Sequence, residues 1–170
     1  IANIAAASGA SVTLIRTMAH PVMSSVTCVD VSTSRDMQDA VLKHTQSDAL
    51  IMSAAVSDFT VSPFQNKQRR YDFSELSINP TDDILRQFND QKAPHCATVG
   101  FCLSDQPNLI DLAKEKMHAK GCAMMVANGP DNFGSDERTI HIVSPTNTAS
   151  FESISLVSAA THILKATPFQ

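Results

Sequence analysis

The chain has 170 residues, of which 43% are hydrophobic and 18% are charged, an ordinary composition for one globular domain with its own core. Its net charge of −4 excludes a global basic field that would attract nucleic acid. No apolar run approaches the roughly 20 residues that a membrane span needs. The first residues, IANIAAASGA, lack the basic and apolar regions of a secretory signal, so we expect a cytoplasmic protein.

The beginning of the chain has the pattern of a helix end. There is no initiator methionine, and Ile1, Ile4 and Ala5 precede Gly9, a residue type that commonly terminates helices. We therefore expect residues 1–170 to form a single domain that is incomplete at its N-terminus.

The four cysteines are scattered and form no CxxC pair. Each lies in an apolar, strand-like context, which is typical of buried free thiols in a reducing compartment. A catalytic role for one of them stays open, although the sequence places no histidine beside it. The four are Cys28, Cys96, Cys102 and Cys122.

Predicted strands and helices alternate along the chain. Strands are predicted over 11–16, 25–31, 48–55, 72–78, 97–103, 122–127 and 139–143, the last a candidate for antiparallel pairing. Helices are predicted over 35–44 with Ser34 as N-cap, from Asn79–Asp83 onward, over 107–119 and over 151–164. Repeated β-α units require parallel pairing and right-handed crossovers. The sequence therefore predicts an α/β fold, Rossmann-like and doubly wound, with a mostly parallel sheet and helices on both faces.

The stretch 48–67 follows a predicted buried strand into a candidate binding site. Ala54 and Ala55 are small enough for backbone to approach a ligand, and Asp58 follows them. A loop of about 15 residues, a length that often carries function, comes next. It contains the cationic cluster Lys67, Arg69 and Arg70. Because open α/β sheets bind ligands at the carboxyl ends of their strands, this pattern favours a phosphate-rich ligand, with a metal ion as an option.

Two more predicted strands end near residues of interest, in Gly100-Phe101 and in Ala127-Asn128. Adjacent parallel strands end at the same edge, so we expect these ends to converge with Asp58 on one cleft. Taken singly, each residue has a plainer interpretation: Asp58 as a turn residue, Lys67 as a solvated charge and Phe101 as core.

Charged residues at two helix ends have two interpretations each. Lys116 and Lys120 are four residues apart, so they share a helix face, either as a phosphate clamp or as charges that complement the helix dipole. Asp82 and Asp83 follow Asn79-Pro80 and form a helix N-cap, which could also present backbone N–H groups to a nucleotide. The histidines show no metal-ligand spacing.

Seven motifs, in this order, resemble the phosphopantothenoylcysteine synthetase family, whose domain is often fused behind a flavin-dependent decarboxylase in bacteria. The family pattern is AAVxD(Y/F), a KxKK-like cluster, NPDIL, VGF, KLxxKGxD, VAN and FxSDxN. The corresponding residues here are Ala54–Phe59, Lys67–Arg70, Asn79–Leu85, Val99–Phe101, Lys116–Gly121, Val126–Asn128 and Phe133–Asp136.

The resemblance implies a ligase that joins 4′-phosphopantothenate to cysteine in coenzyme A biosynthesis. CTP activates the carboxylate as an acyl-cytidylate, pyrophosphate leaves, and the cysteine amine then attacks. The cofactors implied are CTP as co-substrate and Mg²⁺, with FMN only if a decarboxylase domain lies upstream. The family also implies a homodimer.

The resemblance further implies roles for individual residues. Lys67 matches a flexible-loop lysine that assists the chemistry, and Ala55 and Asn128 match the substrate site. The nucleotide-binding positions are Met52, Ser53, Ala54, Asp58, Lys67, Pro80, Asp82, Asp83, Ile84, Leu85, Phe101, Lys116 and Lys120. No metal ligands are assigned.

The sequence departs from the family pattern in three places. NPTDDIL has one residue more than NPDIL, which leaves the equivalence of Asp82 and Asp83 open. Cys102-Leu103-Ser104 stands where the family has an acidic AAET-like run, unless Asp105 substitutes for the acid. The family's N-terminal NxSSGxxG segment, which supplies an asparagine for the acyl-nucleotide step, is not in these residues.

Two other classes of function stay open. One is a nucleotide-binding relative without catalysis, which differs from the ligase in the role of Lys67. The other is a nicotinamide-dependent oxidoreductase, for which Asp30 could be the acidic residue, but the sequence contains neither GxGxxG nor GxxxxGK[ST]. Nucleotide preference, CTP or ATP, is also open.

Overall fold

The computed structural model describes residues 1–61 and 77–169. Within them, no helix is long and apolar enough to cross a bilayer. The helices are α1 (Ala2–Ala7), α2 (Ser34–Leu42), α3 (Ile84–Gln91), α4 (Leu109–Lys120) and α5 (Leu156–Ala166), with a short 3₁₀ helix over Pro130–Asn132. The strands are β1 (Val12–Arg16), β2 (Val26–Asp30), β3 (Ala49–Ile51), β4 (Phe59–Val61), β5 (Ile78–Pro80), β6 (Ala97–Leu103), β7 (Met124–Asn128), β8 (Glu137–Val143) and β9 (Thr148–Ser155).

The central sheet is mixed rather than mostly parallel. Its order is β3-β6-β7-β8-β9, in which β3, β6 and β7 are parallel, whereas β8 and β9 each pair antiparallel with the preceding strand. The parallel pair β1-β2 and the antiparallel pair β4-β5 form separate two-stranded sheets. The α/β class is therefore confirmed, and the prediction of a mostly parallel sheet is wrong.

Helices cover both faces of this sheet, as predicted. Alternate residues of a strand point to opposite faces. In β7, Met125 and Ala127 pack in a core cluster with α4, whereas Met124 and Val126 pack in a cluster with α5. Because both faces of β7 are covered, this strand is a continuous apolar run instead of an alternating one.

Several predicted boundaries change. The helix predicted over 151–164 is wrong in its first part, since Phe151–Ser155 belongs to β9. The strand predicted over 48–55 stops at Ile51. The N-cap of α2 is Thr33 rather than Ser34, because Thr33 and Asp36 form a reciprocal capping box. Of the strand predicted over 72–78, all but the last two residues lie outside the described residues.

The prediction of free thiols is confirmed. All four cysteines are free, with Cys96, Cys102 and Cys122 buried and Cys28 half-buried. Burial raises the pKa of the thiols of Cys96 and Cys122, and this keeps both thiols protonated near neutral pH. None of the four is among the residues that line the cleft described next.

Candidate active site

A cleft of about 190 Å³ lies beside the end of β3. Met52 and Ala54 come directly after β3, Phe101 lies in the neighbouring strand β6, and Lys120 is the last residue of α4. Among the residues that the structure describes, the lining consists of Met52, Ala54, Val56, Ser57, Asp58, Thr81, Asp82, Asp83, Ile84, Leu85, Phe101 and Lys120. The cleft thus combines an apolar floor with carboxylates and one ammonium group.

The short β4-β5 ladder joins the two chain segments that line the cleft. Phe59 pairs with Pro80, and the backbone N–H of Thr81 donates to the carbonyl oxygen of Asp58 at 2.9 Å. The Thr81 hydroxyl also donates to the carbonyl oxygen of Ser57. These bonds place 52–58 against 81–85, although the two segments are far apart in sequence.

From Met52 to Val56, every second residue contributes to the lining. Met52, Ala54 and Val56 line the cleft, whereas Ser53 and Ala55 are exposed and do not. This alternation is the period of an extended backbone. Sequence reasoning missed Val56, Ser57 and Thr81 as lining residues, and the same alternation would have identified Val56.

Asp83 caps α3 and forms an ion pair with Lys120. Its carboxylate accepts from the backbone N–H of Arg86 at 3.2 Å and from the Lys120 ammonium at 2.6 Å. Partial burial by itself would raise the pKa of Asp83, but the hydrogen bonds from Lys120 and Arg86 and the charge of Lys120 outweigh it and lower the pKa. Asp83 is therefore ionised at neutral pH and fixes the Lys120 side chain at the cleft.

Asp82 has a different environment from Asp83. Its carboxylate accepts from the side-chain amide of Gln38 on α2 at 3.1 Å. The residue that caps α3 directly before Ile84 and Leu85 is Asp83. The extra residue of NPTDDIL therefore lies before the cap and leaves the Asp-Ile-Leu order of the helix start intact.

Glycine at position 100 allows α3 to approach the sheet closely. A Cβ atom there would lie 2.9 Å from Sδ of Met125 and 3.0 Å from a terminal methyl of Leu85. Leu85 lines the cleft, and so does Phe101, the residue that follows Gly100 in β6. The small residue thus permits the apolar floor to form.

The structure brings together most of the predicted nucleotide-binding residues. Those that line the cleft are Met52, Ala54, Asp58, Asp82, Asp83, Ile84, Leu85, Phe101 and Lys120. Outside the lining are Ser53, Pro80 and Lys116, which were predicted to bind the nucleotide, and Ala55 and Asn128, which were predicted to bind the substrate. Lys67 lies outside the described residues.

The absence of Asn128 from the lining follows from strand register. Asn128 pairs with Leu103, two residues beyond Phe101 along β6. Its side-chain amide donates to the carbonyl oxygen of Gly129 at 3.2 Å, and its own carbonyl accepts from Ser104 N–H at 3.2 Å. Of the three strand ends that we expected at one cleft, those of β3 and β6 contribute lining residues, and that of β7 does not.

The residue that the oxidoreductase alternative requires has a charged partner. Asp30 accepts from Nε of Arg16 at 2.7 Å, across the parallel β1-β2 pair. The guanidinium also donates to the carbonyl oxygen of His20 at 2.8 Å. Asp30 thus forms an ion pair with Arg16, and the two residues are the last of β2 and β1.

Comparison with known proteins identifies the family. The sequence model described as the DNA/pantothenate metabolism flavoprotein C-terminal domain matches residues 1–167. The chain belongs to this family. The resemblance on which the sequence analysis relied is therefore confirmed along almost the entire chain.

Two curated relatives of this family are named coenzyme A biosynthesis bifunctional protein CoaBC. The one from Borreliella burgdorferi is 28% identical over 146 residues, which cover 82% of this chain and 37% of the relative. The one from Thermococcus kodakarensis is 31% identical over 150 residues, which cover 84% of this chain and 37% of the relative. The chain thus spans little more than a third of the length of these CoaBC relatives.

A solved structure supports the same assignment. The crystal structure of the C-terminal domain of coenzyme A biosynthesis bifunctional protein CoaBC is 25% identical and superposes with a TM-score of 0.77. The superposition covers 96% of this chain and 76% of that domain. The mixed sheet of the present chain is therefore the fold of the CoaBC C-terminal domain.

Proposed function

We propose that this chain is a phosphopantothenate–cysteine ligase that uses CTP in coenzyme A biosynthesis. The observation that carries the proposal is the cleft, in which Asp58, Asp82, Asp83, Phe101 and Lys120 meet. These are positions at which the family resemblance implies nucleotide binding. Membership of the CoaBC C-terminal domain family supports the ligase as the class of enzyme.

The proposed reaction has two steps. A carboxylate oxygen of 4′-phosphopantothenate attacks the α-phosphorus of CTP, the bond to pyrophosphate breaks, and an acyl-cytidylate forms. The cysteine amine then attacks the acyl carbon, CMP leaves with the bonding electrons, and the amine loses a proton. Both steps develop negative charge on phosphoryl oxygens, which ammonium groups such as that of Lys120 stabilise.

We propose that the cleft holds Mg²⁺ together with the nucleotide phosphates. In the parts of the chain that the structure describes, no three carboxylate, histidine or cysteine side chains form a cluster suited to a metal ion. Mg²⁺ commonly uses one or two carboxylates together with substrate phosphates. Among the described residues, Asp58 is the cleft carboxylate that pairs with neither Lys120 nor Gln38, so we propose it as the protein ligand. A bound Mg²⁺ would neutralise phosphate charge.

Replacing Lys67 tests the ligase against a non-catalytic nucleotide-binding relative. In the full-length protein, we expect Lys67→Ala to abolish most formation of phosphopantothenoylcysteine while CTP binding weakens less, because the family resemblance implies that Lys67 assists the chemistry. Mass spectrometry of the product and calorimetry of CTP binding measure the two effects. Lys43→Ala, which changes an exposed lysine directly after α2 that is not among the lining residues, is the matched control.

The outcomes separate the alternatives. Nucleotide binding without product from the unaltered protein would support the non-catalytic relative, and unchanged turnover in Lys67→Ala would reject the role of Lys67. Calorimetric titration with CTP and with ATP decides the nucleotide. FMN is expected only where a decarboxylase domain precedes this one, and the homodimer stays a prediction that sedimentation tests.

A further inference from the structure

Lys120 is attached to α3 at two points. Its ammonium contacts the Asp83 carboxylate at 2.6 Å, at the beginning of α3. Its backbone carbonyl accepts from the side-chain amide of Asn89 at 2.8 Å, near the end of the same helix. A lysine side chain has four rotatable bonds, so fixing its backbone restricts where the ammonium can reach.

Asn89 connects three elements behind the cleft. Its amide nitrogen donates to the Lys120 carbonyl, and its amide oxygen accepts from the Thr98 hydroxyl on β6 at 2.8 Å. The orientation of the amide follows from chemistry, because a backbone carbonyl can only accept. Thr98 is fully buried, with 0% exposure, so its hydroxyl needs this partner. Asn89 itself does not line the cleft.

Among the described residues, Asn89 is the donor to the last carbonyl of α4, that of Lys120. The N–H groups of Gly121 and Cys122 donate to the carbonyls of His118 and Met117, the pair of bonds of a Schellman motif. The carbonyls of Ala119 and Lys120, the last two residues of α4, are not served by that motif. Asn89 supplies the donor to the Lys120 carbonyl, so the amide holds the last turn of α4 against α3 and β6.

We infer that Asn89 is a positioning residue, which fixes the carboxyl end of α4 so that the Lys120 ammonium reaches Asp83 at the rim of the cleft. The consequence for nucleotide binding rests on the proposed function, because Lys120 is a predicted nucleotide ligand. The sequence motifs give no indication of this role, since Asn89 lies in none of them.

The first test measures the Asp83 carboxyl by NMR titration, and it does not depend on any ligand. In Asn89→Ala, we expect the pKa of Asp83 to rise toward its ordinary value, because the Lys120 ammonium no longer occupies one position. Lys120→Met defines the end point of that rise. Thr98→Val replaces the hydroxyl by a methyl group of similar size. It should raise the pKa of Asp83 by less than Asn89→Ala does.

Asn132→Ala is the matched control for loss of a half-buried asparagine. The Asn132 side chain also makes two bonds, donating to the Thr139 carbonyl at 2.9 Å and accepting from Thr139 N–H at 3.0 Å. It lies in the 3₁₀ helix after β7 and is not among the residues that line the cleft. We expect it to reduce stability and leave the pKa of Asp83 unchanged. An unchanged pKa in folded Asn89→Ala would overturn the inference, as would an unchanged pKa in folded Thr98→Val if Asn89→Ala fails to fold.

The second test measures CTP binding in the full-length protein. Asn89→Ala removes one hydrogen bond that positions Lys120. We therefore expect the dissociation constant for CTP to rise roughly three- to tenfold. Asn132→Ala should bind CTP as the unaltered protein does. If the unaltered protein binds no CTP, the proposed function fails, and the pKa measurement still decides whether Asn89 positions Lys120. Normal CTP affinity in folded Asn89→Ala would contradict the inference.

Discussion

At the scale of single residues, Asp83 joins the local fold to the candidate site. The same carboxylate accepts from the N–H of Arg86 in the first turn of α3 and from the Lys120 ammonium at the end of α4. N-cap replacement typically costs about 1 kcal/mol, and a partly exposed ion pair contributes about 0.5 kcal/mol. Capping therefore contributes more to the fold, and the ion pair matters chiefly because it directs a cation to the cleft.

Removing the cation should change how stability depends on pH. The folded-state pKa of Asp83 is lowered, so its contribution is present above the unfolded pKa of about 3.9 and is lost as pH falls through the folded pKa. We expect Lys120→Met to lower the free energy of unfolding at pH 7 by about 0.5–1 kcal/mol, since both side chains are about a third exposed. The loss should be smaller at a pH well below about 3.9, where the Asp83 carboxyl becomes protonated in the folded state as well. Urea titrations at both pH values measure it.

Lys114→Met is the control for this prediction. Lys114 lies 3.8 Å from Asp111 on the same helix, and both side chains are largely exposed. We expect a smaller effect at pH 7 and little difference between the two pH values. Equal losses of stability in Lys120→Met and Lys114→Met at pH 7 would contradict the prediction that the Lys120–Asp83 ion pair contributes more than an exposed pair.

At the scale of elements, β9 shows how a bulge can imitate a helix. Arg138 and Ile140 are two residues apart on β8, but their partners Ile154 and Phe151 are three apart on β9. The extra residue puts two inward-facing apolar side chains at a spacing of three, which is also the spacing of a helix face. The sequence pattern therefore favoured a helix over 151–164, and only the pairing with β8 reveals the strand.

Ser153 marks the position of this bulge and offers a test of it. Among the described residues, it alone has a positive φ without being glycine, at 49°. Left-handed backbone costs a residue with a side chain about 1–2 kcal/mol. We expect Ser153→Gly to leave stability unchanged or raise it by up to about 1 kcal/mol, and Ser153→Val to lower it by about 1–2 kcal/mol.

Chemical denaturation of the two Ser153 variants measures the difference. Ala149→Val, at a regular position of the same strand paired with Ile142, is the control for adding a β-branched residue. Similar losses in Ser153→Val and Ala149→Val would argue against a left-handed bulge at 153.

At the scale of the whole molecule, the sequence predicted local features, such as helix starts and buried strands. It also predicted which residues meet at the carboxyl ends of neighbouring parallel strands. The start of α3 at Asp83, the apolar strand β7 and the meeting of Asp58 with Phe101 beside one cleft are of this kind. Pairing partners were not predictable, because alternation along one strand does not state which strand lies beside it. For this reason the antiparallel β8-β9 ladder and the place of Asn128 were missed.

The central claim is that the cleft beside β3 binds a nucleotide, and methyl NMR during a CTP titration tests it most directly. Met52, Ile84 and Leu85 line the cleft, whereas Ile142 and Ile163 pack in the core cluster on the α5 side of the sheet. We predict saturable shifts of the first three methyl-bearing side chains, with the α5-side pair unaffected. No shift at saturating CTP, or shifts confined to the α5 side, would contradict the assignment of this cleft as the nucleotide site.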